Sequence, residues 1–503
     1  MTQREALQIL KTGASVFLTG EPGSGKTHTV NAYIDYLKSA KVSVAVTAST
    51  GIAATHVGGM TIHSWSGIGI KRTLSSYDID RIATNERVAK RILRTAVLII
   101  DEVSMLDGRV LESVDRVCRE VKQSQEPFGG MQVVFVGDFF QLPPVSRDGD
   151  GPLQFAFSST AWANLRLVTC YLSEQYRQAD QDFLEVLSAL RANAVTPQHR
   201  AHLDSRCVET AATMTRLFSH NVDVDRINEQ ELEKIDAKAV VFHMKTRGKK
   251  ALVEQLQRGC LSPERLALKK GAVVMFTKNS PKSAFVNGTL GTVVDFHEDT
   301  RLPIVEVKSG RRIQTEPMEW VVEDNGRALA RIVQIPLRLA WAITVHKSQG
   351  MSLDAAFVDL RQAFVEGQGY VALSRVRSLA GLFLAGYNSQ ALAVHPEVLA
   401  IDSEFRQQST DIAAAFQKLS PKELQTLHRN FIKAAGGQEP PKTSSVTDRR
   451  EARSNAYRRW EEEDDVLLAD LHKAGESVQA ISERFERQPG SIRSRLRKNG
   501  LIA

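Results

Sequence analysis

The 503-residue sequence contains no long hydrophobic run. Its strongest apolar stretches, at residues 97–100 and 133–136, are strand-length and far short of the roughly 20 residues a bilayer span requires. The opening MTQREALQIL has none of the basic-then-apolar character of a secretory leader. A cytoplasmic chain without a membrane partner is therefore expected. Cysteine is scarce as well. Cys118, Cys170, Cys207 and Cys260 stand far apart with no CxxC pair, which argues against a zinc site or a disulfide framework and leaves buried thiols as the reading. Acidic residues number 58 against 65 basic ones, a net +7 that leans mildly toward a polyanionic partner. Apolar residues make up 42%, ordinary for a globular chain. A length of 503 exceeds what one hydrophobic core organises, so several domains are expected.

The pattern along the chain supports that division. Near-continuous apolar runs at 16–19, 42–47, 96–100, 133–136 and 167–171 alternate with helical stretches such as 27–39 and 110–122. Unbroken apolar strands suit a parallel sheet covered on both faces, so residues 1–177 read as a doubly wound α/β domain. A second α/β region spans 178–433, with strands near 216–219, 355–359 and 382–385. Within it, 269–335 breaks into short Gly- and Pro-punctuated segments (GAVVMF, GTVVDF, PIVEVKSGRRIQTE) and reads as a β-rich insertion. Residues 434–455 have linker composition, and 456–503 carry three helical segments.

Gly20-Glu21-Pro22-Gly23-Ser24-Gly25-Lys26-Thr27 fits a phosphate-cradling loop between a strand and a helix. Its glycines let backbone N–H groups face the phosphates, and the helix start adds a favourable dipole. Lys26 would reach the β- and γ-phosphates of ATP, and the Thr27 hydroxyl would hold Mg²⁺. Asp101 and Glu102 end an apolar strand about 75 residues later. There one carboxylate can hold Mg²⁺ and its neighbour can activate the attacking water. Gln141, in GDFFQLPP after the next strand, can contact the γ-phosphate. These features describe an ATPase and do not distinguish motor from switch.

DEVSM followed by PFGGMQVVFVGDFFQLPPV resembles the Pif (petite integration frequency) family of superfamily one DNA helicases. Matching segments run from residue 3 to 387. The resemblance implies two RecA-like P-loop NTPase domains, an SH3-like insertion in the second and 5′→3′ translocation on single-stranded DNA. It puts Gln3 at an adenine-reading position, and Thr50 (TASTGIAA) and His63 (TIHSW) on the DNA strand. Residues 67–76 would form a small wedge at the strand-separation point. Arg177 in EQYRQ and Arg375 in GYVALSRVRS would be two arginine fingers. VHKSQGMSLD, at 345–354, would couple DNA contact at His346 and Lys347 to the nucleotide at Gly350. Ser49 stands where the family usually has proline, and Tyr176 where it has phenylalanine. The implied partners are single-stranded and forked or structured DNA, the implied roles are replication, repair or recombination, and a nucleoid-associated monomer is expected. A nucleotide-switched DNA-binding regulator and a RecD-like subunit of a recombination complex are the competing readings.

The last segment resembles a Myb-like or regulator-type helix-turn-helix. An acidic first turn opens it, and its third helix carries Arg493, Arg495, Arg497 and Lys498 as expected DNA contacts. A solvated basic face on a protein-docking module is the alternative.

Overall fold

The structure is a computed structural model that describes residues 1–69, 71–144, 152–173, 180–209, 215–218, 224–280, 284–324, 327–345, 348, 351–439, 462–474, 476–485, 489–499 and 501. It separates into two compact units, Met1–Glu439 and Pro440–Ala503.

The larger unit begins with helix α1 (Gln3–Leu10), started by a capping box between Thr2 and Glu5. Six strands follow: β1 (Val16–Gly20), β2 (Val44–Ala48), β3 (Met60–Thr61), β4 (Val97–Asp101), β5 (Gln132–Val136) and β6 (Val168–Leu172). They form one parallel sheet in the order β3-β2-β4-β5-β1-β6. Helix α2 (Lys26–Ser39) leaves β1, and α3 (Gly51–His56) leaves β2. Because all six strands run the same way, Gly20, Ala48, Asp101 and Val136 end along one edge of the sheet, where α/β proteins place their ligands.

A second parallel sheet is built from β7 (Arg216–Phe218), flanked by Ala342–Thr344 on one side and by Ala356–Leu360 then Leu382–Tyr387 on the other. The β-rich part inserted between these strands is wider than 269–335. Its strands begin at Val240–His243 and end at Leu337–Leu339, in sheets of five, three and two strands. Lys245–Gly248 is one of them, an exposed KTRG segment that pairs with Arg327–Gln334. No alternation of apolar residues marks it in the sequence.

The C-terminal boundary of the second α/β region also differs. Residues 396–439 return to the first sheet. Helix Pro396–Phe416 covers β6: Tyr171 N donates to Ser409 Oγ at 2.9 Å, and the Phe405 ring lies 4.9 Å from that of Phe17. Helix Pro421–Ala434 lies against α1, with His428 Nε2 2.9 Å from Gln8 O. β6 is an edge strand whose apolar residues need a cover, and this returning helix supplies it.

Within the 67–76 segment, Arg72 and Leu74 lie against helix Gly108–Lys122 and its N-cap. Arg72 pairs with Asp107 at 3.2 Å, Ser113 Oγ donates to Arg72 O at 2.8 Å, and Leu74 is buried. Among its described residues the smaller unit has three helices, Glu462–Lys473, Val478–Arg484 and Pro489–Lys498, closed around Leu468, Leu471, Ile481, Phe485, Ile492 and Leu496. No described helix is long and apolar enough to cross a membrane.

Candidate functional site

The loop after β1 is held from outside as well as by its own backbone. Gly25 has φ 88°, and a Cβ there would sit 2.0 Å from Gln3 Nε2. Both the left-handed conformation and the close approach require glycine. Gln3 Nε2 donates to Ser24 O at 3.1 Å, and Gln3 Oε1 lies 3.0 Å from His28 Nδ1. His28 was missed in the sequence, since nothing marks the position after Thr27. Lys26 Nζ donates to Gly20 O at 2.7 Å and to Glu21 O at 3.1 Å, so the ammonium lies across the mouth of the loop.

The acidic pair sits beside it. Glu102 has φ 51° and ψ 46°, a left-handed conformation uncommon outside glycine and worth of order 1–3 kcal/mol of strain. Two bonds from Ser49, just after β2, hold that turn: Ser49 N donates to Asp101 O at 3.1 Å and Ser49 Oγ donates to Glu102 O at 2.7 Å. A proline at 49 could make neither, so this departure from the family pattern ties two motifs together. Burial raises the Asp101 carboxyl to about 6. Burial, with the charge of Asp101 added, raises Glu102 to about 7, opposed by Lys26 and Arg375.

Gln141 borders the same cleft as the loop, 7% exposed, its Oε1 without a hydrogen-bond partner among the described residues. Its turn is shaped by Asp138, whose carbonyl accepts Gln141 N at 3.0 Å and whose carboxylate is gripped by Arg191 at 2.8 and 2.9 Å. Arg375 reaches this region from the second sheet. It is 1% exposed, with Nε donating to Val371 O at 2.9 Å and Nη2 to Ser374 Oγ at 2.9 Å. The loop, Asp101, Glu102, Gln141 and Arg375 line one open cleft of about 880 Å³, which Lys278, Asn279 and Trp320 of the β insertion also border.

The donor set suits a magnesium nucleotide. A buried unpartnered oxygen on Gln141, a second on Ser24, and glycines where the loop must approach its ligand are what a polyphosphate site requires. Among the described residues no group of three His, Cys, Asp or Glu could hold a metal alone. Mg²⁺ commonly takes one or two protein ligands and completes its shell with phosphate oxygens and water. Thr27 and Asp101, both in the cleft, can serve in that way.

The remaining expected residues are scattered. Thr50 caps α3, accepting Ala53 N at 3.2 Å, under the insertion's helix Lys250–Gly259. His63 is half-buried on helix Ile62–Ser66, and burial lowers its pKa. Neither is among the residues lining the cleft. Arg177, His346, Lys347 and Gly350 lie outside the described residues, as does the Lys498 side chain. Nearby, Leu353 N donates to Arg375 O at 2.8 Å and Arg377 N donates to Leu353 O at 3.1 Å, stitching the 345–354 segment to Arg375. In the smaller unit, Arg493 and Arg497 are exposed. Arg495 is not presented outward as expected: it forms a two-pronged pair with Asp465 at 2.7 and 2.6 Å, locking the third helix onto the first.

The chain resembles known proteins along most of its length. Residues 3–192 match the family model described as PIF1-like helicase, and 251–296 match the DNA helicase Pif1 2B domain. The chain is 42% identical over 497 residues to an ATP-dependent DNA helicase Pif1 of Psychrobacter sp., covering 87% of this chain and 75% of that one. It is 37% identical over 406 residues to one of Bdellovibrio bacteriovorus, covering 80% and 91%. Among solved structures, Bacteroides sp. Pif1 in complex with ADP-AlF4 superposes with a TM-score of 0.71 at 29% identity, over 81% of this chain and 96% of that one. Bacteroides Pif1 with ADP-AlF3 and single-stranded DNA gives 0.55 at 30% identity, over 81% and 96%.

Proposed function

The chain belongs to the Pif1 family of ATP-dependent DNA helicases, and on that premise we propose that it couples ATP hydrolysis at the 20–27 loop to 5′→3′ movement on single-stranded DNA. The observation that carries this is the position of Arg375. It comes from the second sheet yet borders the same cleft as Lys26, close enough to Glu102 for each to feel the other's charge.

A planar, permanently charged guanidinium suits the spread charge of a phosphoryl transition state. Its arrival from a second lobe makes turnover depend on how the lobes meet. In this reading Lys26 neutralises the β- and γ-phosphates, Gln141 senses the γ-phosphate, and Glu102 takes a proton from the attacking water. Gln3, braced by His28, reads the adenine. Thr27 and Asp101 would hold Mg²⁺, which supplies charge neutralisation at the phosphates when bound. Thr50 and His63 face the DNA strand, Arg177 is a second finger, and His346, Lys347 and Gly350 link strand to nucleotide. In the same proposal, forked or structured DNA is the substrate in replication, repair or recombination, and the chain works at the nucleoid. The helix-turn-helix unit adds duplex contact through Arg493, Arg497 and Lys498, with Arg495 supporting the helix.

The alternative of a nucleotide-switched regulator has the weaker support, because the relatives are named helicases. The test is unwinding of forks that carry a single 5′ or a single 3′ tail. Unwinding from the 5′ tail alone is expected. Unwinding from the 3′ tail alone would overturn the polarity, and no unwinding of either would overturn the motor.

A further inference from the structure

Arg191 belongs to no motif singled out above, yet it is among the most heavily engaged side chains in the molecule. It ends the Gln181–Arg191 helix, on the connection between the two sheets, and is 3% exposed. Its Nη1 donates to both Asp138 oxygens and to Tyr370 Oη at 3.1 Å. Its Nη2 donates to Tyr171 Oη at 2.7 Å and reaches Asp402 Oδ1 at 3.5 Å. The guanidinium carbon lies 3.9 Å from the centre of the Phe140 ring.

These partners come from four separate elements: the turn after β5, strand β6, helix Gln368–Leu373 beside the second sheet, and the returning helix Pro396–Phe416. A fork of fixed donors can hold such an arrangement, and a flexible ammonium cannot. Among the described residues the Arg191 Nε is buried without a hydrogen-bond partner.

Two of its contacts lead directly to the nucleotide cleft. Asp138 shapes the turn that ends in Gln141, through Phe140 N donating to Asp138 Oδ1 at 3.2 Å and Gln141 N donating to Asp138 O. Tyr370 lies on the helix whose Val371 carbonyl holds Arg375. The two lobes also touch there directly: Gly367 has φ 80°, and a Cβ on it would lie 2.7 Å from Phe140 O. Gln141 and Arg375 thus stand at the two ends of one buried path, Gln141–Asp138–Arg191–Tyr370–Arg375.

We propose that Arg191 is a positioning residue that couples the γ-phosphate sensor Gln141 on one lobe to the arginine finger Arg375 on the other, with the Tyr370 hydroxyl as the link that crosses between lobes. This rests on the reading of Gln141 and Arg375 given above. Asp138 and Arg191 stay paired as one buried unit, because separating them would strand a charge in the interior. The Tyr370 contact joins a neutral hydroxyl and can be removed without doing so. When Gln141 shifts on the γ-phosphate, the Asp138 turn moves with it, and Arg191 passes the displacement to the segment that carries Arg375. Loss of the link should slow hydrolysis in the closed complex and leave nucleotide affinity alone.

The experiment measures kcat and KM for ATP at saturating single-stranded DNA, with a thermal melt, on Tyr370→Phe, Arg191→Lys, the two combined, and Arg375→Ala. Tyr370→Phe keeps the ring in its packing and removes only the hydroxyl. It is expected to lower kcat about tenfold with KM within about twofold, the size of a typical coupling between sites, at near-normal melting temperature. Arg191→Lys should lower kcat at least as far, and adding Tyr370→Phe to it should cost little more, because both remove the same link. If Arg191→Lys fails to fold, the single Tyr370→Phe variant still decides. Wild-type kcat in folded Tyr370→Phe would overturn the proposal, as would a change confined to KM. Arg375→Ala separates the two levels. If it abolishes hydrolysis while Tyr370→Phe is normal, only the coupling is wrong. If it hydrolyses normally, the reading of the site fails and this proposal with it.

Discussion

Arg375 and Arg495 look alike in the sequence. One lies in LSRVRS and the other in RSRLRK, each in a basic stretch on or beside a helix. In the folded chain they have opposite fates. Arg375 is held by a backbone carbonyl and a serine hydroxyl, with no carboxylate bonded to its guanidinium among the hydrogen bonds described, and it faces the acidic turn at Glu102 across a cleft. Arg495 is matched to Asp465 by two charge-assisted bonds and closes a three-helix core. What an arginine does depends on whether its own fold neutralises it. A held but uncompensated guanidinium can act on a ligand's charge. A compensated one is part of the scaffold, so counting basic residues overstates the charge a surface can offer to DNA.

Four substitutions can break or sharpen this contrast. The largest effect is expected for Lys26→Ala, which removes the cation from the phosphate loop and should reduce ATP turnover to background in a steady-state assay. Near-normal turnover would show that the loop is not the catalytic one. Arg375→Ala should retain nucleotide binding, measured with a fluorescent analogue, while kcat falls about a thousandfold or more, as for other arginine fingers. Arg493→Ala should weaken duplex DNA binding and reduce the slope of log affinity against log salt by about one, the signature of one lost phosphate contact. An unchanged slope would favour protein docking for the C-terminal unit. The smallest functional effect is expected for Arg495→Ala: ATP turnover stays as in the wild type, while the melting transition of the C-terminal unit drops. A reduced salt slope at an unaltered melting transition would return Arg495 to the DNA surface and erase the contrast with Arg375.

The parts that could be read from the sequence share a physical cause. The first sheet was legible because parallel strands covered on both faces are continuous apolar runs, and strand ends then place Lys26, Asp101, Glu102 and Gln141 on one edge. The 20–27 loop is local, so its glycines and lysine signal together. What escaped is what depends on distant partners. The KTRG strand is polar and exists through its neighbour. The return of residues 396–439 to β6 reflects an edge that needs covering, which no local pattern records. Arg191 ends a helix like many surface arginines, and its importance comes from Asp138, Tyr171, Tyr370 and Asp402, separated from it by 53, 20, 179 and 211 positions. Ser49 reads as a departure from a family pattern, and its contacts to Asp101 and Glu102 appear only once β2 and β4 pair.

The most direct measurement of whether the two lobes form one DNA-responsive site is ATP turnover by the full chain with and without a single-stranded oligonucleotide. The rate is predicted to rise about tenfold or more on DNA addition, within the usual range of coupling between sites, and to stay flat in Arg375→Ala. A wild-type rate indifferent to single-stranded DNA would contradict a nucleotide site completed by the second lobe as the strand is held.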